Sequence, residues 1–179
     1  ACLVLRDLAR LNPDVHLPDL AEGLSVMAAR LREARRMREG VAISRETVRI
    51  RRRLTRHDYD AHMPGLALAL CRLAVVLSAS GDLRDALASA QESVDLYRSL
   101  SRHDPFCDET GLAEALVTLA CCLSESGRPS GAFLTAQQAL TVRRRLVRAD
   151  PDAQMRRLAA DLARLAPRLC AVGYVDEAL

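Results

Sequence analysis

The sequence predicts an all-α fold: a solenoid of antiparallel helix hairpins, about seven helices plus a stub, in which each hairpin covers the next. Three observations carry this. First, the chain repeats itself without a gap every 46 residues, as in LTRHDYDAHMP from Leu54 and LSRHDPFCDET from Leu100. Leu20 falls on Leu66, Leu112 and Leu158; Leu24 on Leu70, Leu116 and Leu162; Met27 on Leu73, Leu119 and Leu165; Ala28 on Ala74, Ala120 and Ala166; Leu31 on Leu77, Leu123 and Leu169. Self-similarity of this kind marks stacked supersecondary units. Second, Leu66, Leu70, Leu73, Ala74 and Leu77 are spaced as one stripe of a helix, not as one face of a strand. Third, SASGD and SESGRP interrupt the pattern at equivalent places, with Gly81 and Gly127 set to close a helix in the left-handed conformation.

The elements follow in order. The whole chain, 1–179, is expected to be a single solenoid fragment. Residues 1–12 read as the tail of a second helix, because ACLVLRDLARLNPD aligns with IRRRLTRHDYD. Repeat 1 spans 13–58, repeat 2 spans 59–104, repeat 3 spans 105–150, and 151–179 is a partial repeat 4 whose GYVDEAL opens another second helix. In each unit the apolar stripe makes the first helix. Asp82 is expected to cap the second helix, Asp85 adds charge to its first turn, and Pro129 sits where a first-turn proline is tolerated. Ala86, Ala90, Val94, Tyr97 and Leu100 form the second helix's stripe. Small side chains at Ala74, Ala86 and Ala90 let the pair approach closely, and the short turn makes it antiparallel. One hairpin cannot cover its own stripes; stacked neighbours can. The chain reads as a window from a longer solenoid.

Composition agrees. Half the residues are apolar and 27% are charged, normal for a chain able to bury a core. No apolar run is expected to approach the ~20 residues that span a bilayer. With no signal peptide in view, the expectation is a cytoplasmic protein without a membrane partner. All 26 basic residues are Arg, which fits codon bias in a GC-rich genome.

The order Leu70, Leu73, Ala74, Leu77, Gly81, Ala86, Ala90 resembles the tetratricopeptide repeat, over essentially the whole chain. The unit exceeds the common length of about 34 residues. LYRSLSRHDP and RRRLVRADPDA at the ends of the second helices are similar to the long-period arrays of the kinesin-light-chain type. Such arrays often stand beside STAND-type NTPase or CHAT protease modules. The resemblance implies a right-handed superhelix that binds a protein or peptide on its concave face. Repeat 1 departs from the pattern at Arg35, where Gly is expected, and at Gly40, where Ala is expected. Repeat 4 carries Pro167 inside its first helix. These units are expected to be bent or loosened.

Little in the chain points to chemistry. The six cysteines (Cys2, Cys71, Cys107, Cys121, Cys122, Cys170) form no CxxC pair and stand at no metal spacing from a His, so they read as small apolar residues of a reducing cytosol. His57 and His103 share a position at a helix C-terminus, where a protonated ring favours the dipole. His16 and His62 share another in the loop before the first helix. There is no glycine-rich phosphate loop and no Lys to serve one. The expectation is a non-enzyme with no cofactor and no metal.

Arginine is the sharper feature. Arg6, Arg52, Arg98 and Arg144 share one repeat position and Arg10, Arg56, Arg102 and Arg148 another, which makes two ladders along the second helices. One reading is an anion-binding stripe at Arg52, Arg56, Arg98, Arg102, Arg144 and Arg148 for a polyanion or nucleic acid. The favoured reading is dipole and ion-pair balance with Asp58, Asp104 and Asp150 nearby. A net charge of +3 is too small to argue for nucleic acid by itself.

Two function classes remain. The first is a non-catalytic scaffold for a protein or peptide, bound at concave-face positions Glu22, Ser25, Ala29, Arg32, then Leu68, Cys71, Val75, Ser78, then Glu114, Val117, Cys121, Ser124. That groove is expected to be apolar across repeats 2 and 3, and without Lys and Asn it is not expected to clamp a peptide carboxylate. The second is a sensor or regulatory segment that packs on an intramolecular NTPase or protease domain of a larger chain.

Overall fold

The computed structural model describes residues 2–103 and 109–170. Eight helices run through them: α1 (Cys2–Leu11), α2 (Pro13–Glu33), α3 (Met37–His57), α4 (Tyr59–Ser80), α5 (Leu83–His103), α6 (Glu109–Glu125), α7 (Pro129–Ala149) and α8 (Pro151–Cys170). The N-terminal residues form α1, and no strand occurs among the described residues. Asp104, Cys107 and GYVDEAL lie outside the described residues, as do the side chains of Cys2, His103 and Cys170.

The helix ends keep the sequence period. α3, α5 and α7 are each 21 residues long and end at His57, His103 and Ala149; α1 ends at Leu11, one period before His57. Each helix packs on the next, and the first helices also meet across repeats, α4 on α6 and α6 on α8. One core runs from Val48 to Leu165 through Leu66, Leu70, Leu73, Leu77, Val94, Tyr97, Leu116 and Leu119. A smaller one joins α1, α2 and α3 through Ala9, Leu17, Leu20, Leu24 and Leu54. Ala74, Ala86, Ala90, Ala120, Ala132 and Ala136 are all buried where paired helices touch. Ser93, fully buried, donates to the Ala67 carbonyl at 2.7 Å and so ties α5 to α4.

Three turns join the hairpins by one device. Gly81 at φ 86° and Gly127 at φ 69° are left-handed, and so is Arg35 at φ 59°. In each, the residue's N–H donates three positions back (Arg35 to Arg32, Gly81 to Ser78, Gly127 to Ser124), and the next N–H donates to Leu31, Leu77 or Leu123 at 2.9–3.0 Å. Both bonds satisfy carbonyls that a helix end would leave open. The loosening expected in repeat 1 is therefore absent at this turn: Arg35 adopts the glycine conformation, and the strain stays in the backbone. α8 likewise continues through Pro167.

Other expectations change with the packing. His16 and His62 lie in the first turns of α2 and α4, not in preceding loops. Met27 and Leu162, both on the repeated stripe, are exposed. α4 is apolar enough, at mean hydropathy 1.7 over an 18-residue window, to pass for a membrane span by length and composition. Its place between α3, α5 and α6 accounts for that apolarity, since Met63, Leu66, Leu70, Leu73 and Leu77 are all buried.

Candidate functional site

The first helices form one side of the array, and a groove of about 650 Å³ opens along them. α2 contributes Glu22, Ser25, Val26, Ala29, Arg32 and Glu33, α4 contributes Cys71, Arg72 and Val75, and Glu114 of α6 and Arg164 of α8 close it. Ser44 and Thr47 of α3 lie beneath, both buried, with the Thr47 hydroxyl donating to the Ile43 carbonyl at 3.0 Å. The floor is therefore small, and the Thr47 hydroxyl is satisfied within its own helix.

Seven of the twelve expected concave positions line this groove: Glu22, Ser25, Ala29, Arg32, Cys71, Val75 and Glu114. The other five do not. Leu68 and Ser124 are half-buried outside it, and Ser78 is bonded to Glu125, which also accepts from Arg168 at 2.7 Å. Val117 and Cys121 are buried, which corrects the expectation of an apolar groove across repeats 2 and 3. The lateral packing of α6 between α4 and α8 covers these side chains. Ser25 and Cys71 are also buried, so they shape the wall and present little surface. Sequence reasoning missed Arg72 and Arg164. They share one repeat position with Val26 and Thr118, a pattern that was legible in the 46-residue register.

The groove's charges are unevenly paired. Arg30 meets Glu33 at 3.1 Å, and Glu22 meets Arg51 at 3.2 Å. Arg51 is half-buried against Gly65, where burial lowers its pKa, with the Glu22 charge opposing that. Arg164 reaches the buried Thr118 hydroxyl at 3.4 Å, and the Cys71 thiol donates to the same oxygen at 3.5 Å. Arg32 and Arg72 have no ion pair among the described residues. Burial favours the neutral form of Glu125, but the Ser78 hydroxyl and Arg168 outweigh it and hold that carboxyl below its ordinary range.

The thiols are poor nucleophiles. Burial pushes Cys71 up to about 11 and Cys122 up to about 12, and it raises Cys121 as well. The thiolate is the reactive form, so these side chains are inert near neutrality. Among the described residues no three His, Cys, Asp or Glu side chains are placed to hold a metal ion.

Three members of the first arginine ladder are paired, though not with Asp58 or Asp150, while Arg144 and, in the second ladder, Arg56 and Arg148 have no ion pair among the described residues. Arg6 meets Glu46 at 2.7 Å, Arg52 meets Glu92 at 2.7 Å, and Arg98 donates to the Gln138 Oε1 at 2.8 Å. Each partner lies 40 residues on, on the next second helix, so the ladder stitches successive hairpins together. Asp58 and Asp150 are engaged elsewhere: their side chains cap α4 and α8 by accepting from the Ala61 and Ala153 amides. Asp82 and Asp85 both take Arg45, at 3.2 and 2.6 Å. A buried pair, Arg143 with Asp161 at 2.7 Å, joins α7 to α8.

Residues 66–104, which take in most of α4 and all of α5, match the tetratricopeptide repeat family. That repeat generally mediates protein–protein contacts. No curated protein matches the chain.

Proposed function

We propose that the chain is a non-catalytic interaction scaffold that takes a peptide or a protein segment along the first-helix groove, in a cytoplasmic, reducing setting. The groove itself carries this reading. It runs across α2 and α4 with small side chains at Ala29 and Val75 for close approach, flanked by Arg32 and Arg72, which have no ion pair among the described residues. Such a strip suits an extended segment with small apolar residues and at least one acidic side chain, since a cation without an internal partner favours an anionic one. The free, buried thiols fit a reducing compartment. The regulatory alternative, in which the same groove takes a segment of a STAND-type NTPase or CHAT protease, differs only in whether the segment is supplied by another part of a longer chain. A polyanion site on the second helices is disfavoured, because Glu46, Glu92 and Gln138 already occupy three of the four arginines of the first ladder.

Selection of a displayed random-peptide library on the purified protein tests this. Selected peptides are expected to bind the native chain and to lose at least tenfold in affinity to Ala29→Trp and to Val75→Trp, which fill the groove. Peptides that bind those variants as well as the native chain would refute the proposal.

A further inference from the structure

Some of the charges that line the groove are neutralised inside the fold and some are not. Glu22 is taken by Arg51, and Glu33 takes Arg30. What remains is Arg32, Arg72 and Arg164 against the carboxylate of Glu114, with no ion pair at any of the four among the described residues. The groove therefore holds a surplus of two positive charges. Two of these cations converge. Arg72 and Arg164 share one repeat position with Thr118, so they stand on α4 and α8, and α6 packs against both helices. Arg164 reaches across α6: its Nη2 donates to the Thr118 hydroxyl at 3.4 Å, and the Cys71 thiol of α4 donates to the same oxygen at 3.5 Å. A guanidinium from α8 is thus two hydrogen-bond lengths from the residue next to Arg72. Burial dominates the raised pKa of Cys71, the Thr118 hydroxyl, Arg164 and Arg72 oppose it, and Glu114 adds to it, so all three charges act on one sulfur. Arg72 also acts on Arg51, whose pKa burial lowers most, with Glu22 opposing and the Arg72 charge lowering it further. Like charges brought together in this way favour an anion between them.

We propose that Arg72 and Arg164 bind the phosphate of a phosphoserine or phosphothreonine in the segment that the groove takes. This rests on the groove reading above and narrows the partner to a phosphorylated one. A phosphate monoester carries about −1.5 to −2 charges near neutrality and three acceptor oxygens. It matches the surplus in the groove, and its oxygens let two guanidiniums share one group, each through paired N–H donors. A carboxylate neutralises only half of that surplus. Nucleic acid fits less well, because each phosphodiester carries a single charge and, among the described residues, no aromatic side chain lines the groove to stack a base.

Equilibrium binding of three degenerate peptide pools to the whole chain tests this. The pools share small apolar and acidic flanks and differ at one central position, which is phosphoserine, serine or glutamate. The phosphoserine pool is expected to bind roughly tenfold more tightly than either of the others, or better. Arg72→Gln and Arg164→Gln are each expected to bring it down to the level of the serine pool. Arg84→Gln, which removes an exposed charge of α5 outside the groove, is expected to leave the preference unchanged. Circular dichroism confirms that each variant is folded, and Arg164→Lys, which keeps the charge, is expected to retain part of the preference. Equal binding of the three pools, or a preference that survives both Gln variants, would overturn the phosphate site while leaving the scaffold reading in place. Failure of all three pools to bind would overturn both. Tighter binding of a single-stranded oligonucleotide than of the phosphoserine pool would overturn the phosphopeptide assignment in favour of nucleic acid.

Discussion

Arg35 sits in the left-handed conformation at φ 59°, where the equivalent turns use Gly81 and Gly127. A residue with a Cβ in that region carries a strain of about 1–2 kcal/mol. Arg35→Gly removes this strain. Against it stands the greater freedom of glycine in the unfolded chain, about 0.4–1 kcal/mol, and the loss of a cation at the C-terminal end of α2, about 0.3 kcal/mol for an exposed site. Arg35 is exposed and lacks an ion pair among the described residues, so its side chain takes nothing else with it. The net expectation is a gain of roughly 0.5 kcal/mol, or a rise of 1–2 °C in Tm for a chain of this length. Gly81→Ala is the converse. A Cβ built there meets nothing within 4 Å, so any cost is purely of backbone origin, and a loss of about 1 kcal/mol is expected. Urea unfolding followed by circular dichroism reads both. A lower midpoint for Arg35→Gly, or an unchanged one for Gly81→Ala, would refute the view that one left-handed device serves all three turns.

Three further outcomes are expected. Ala120→Leu, buried in the central repeat, should destabilise by about 1–3 kcal/mol through overpacking, whereas Ala29→Leu on the open groove wall should cost far less; comparison of denaturation midpoints checks this. Arg52→Gln and Arg98→Gln remove exposed inter-repeat contacts and should each cost only a few tenths of a kcal/mol, with the Arg52 effect shrinking as salt rises, and the combined Arg52, Arg56, Arg98 and Arg102 to Gln variant should leave heparin retention unchanged. Cys71 and Cys122 should resist alkylation at mildly alkaline pH in the folded protein and react once it is unfolded, as followed by mass spectrometry, because burial holds both thiols protonated.

Much of the fold was legible because the information is local and repeated. The stripe Leu66, Leu70, Leu73, Leu77 needs only helical geometry to be read, and Gly81 and Gly127 announce their turns by being the residues that tolerate positive φ. Arg35 carried no such signal, since at that position only the hydrogen bonds to Arg32 and Leu31 hold the chain left-handed. The concave face was partly legible for a different reason. A single helix places Val117 and Cys121 beside Glu114, and nothing in that helix says that α4 and α8 close over them. The ladder partners illustrate the same limit: Glu46, Glu92 and Gln138 recur with the period, yet a reach of 40 residues follows only from the distance between neighbouring second helices.

Amide chemical shifts of the isotopically labelled protein, followed as a selected peptide is titrated in, test the interaction reading most directly. The account expects the largest changes at Ala29 and Arg32 of α2 and at Arg72 and Val75 of α4, with the ladder positions Arg52 and Arg98 unmoved. Changes concentrated on α3 and α5, with α2 and α4 silent, would contradict it and place the binding surface on the opposite side of the array.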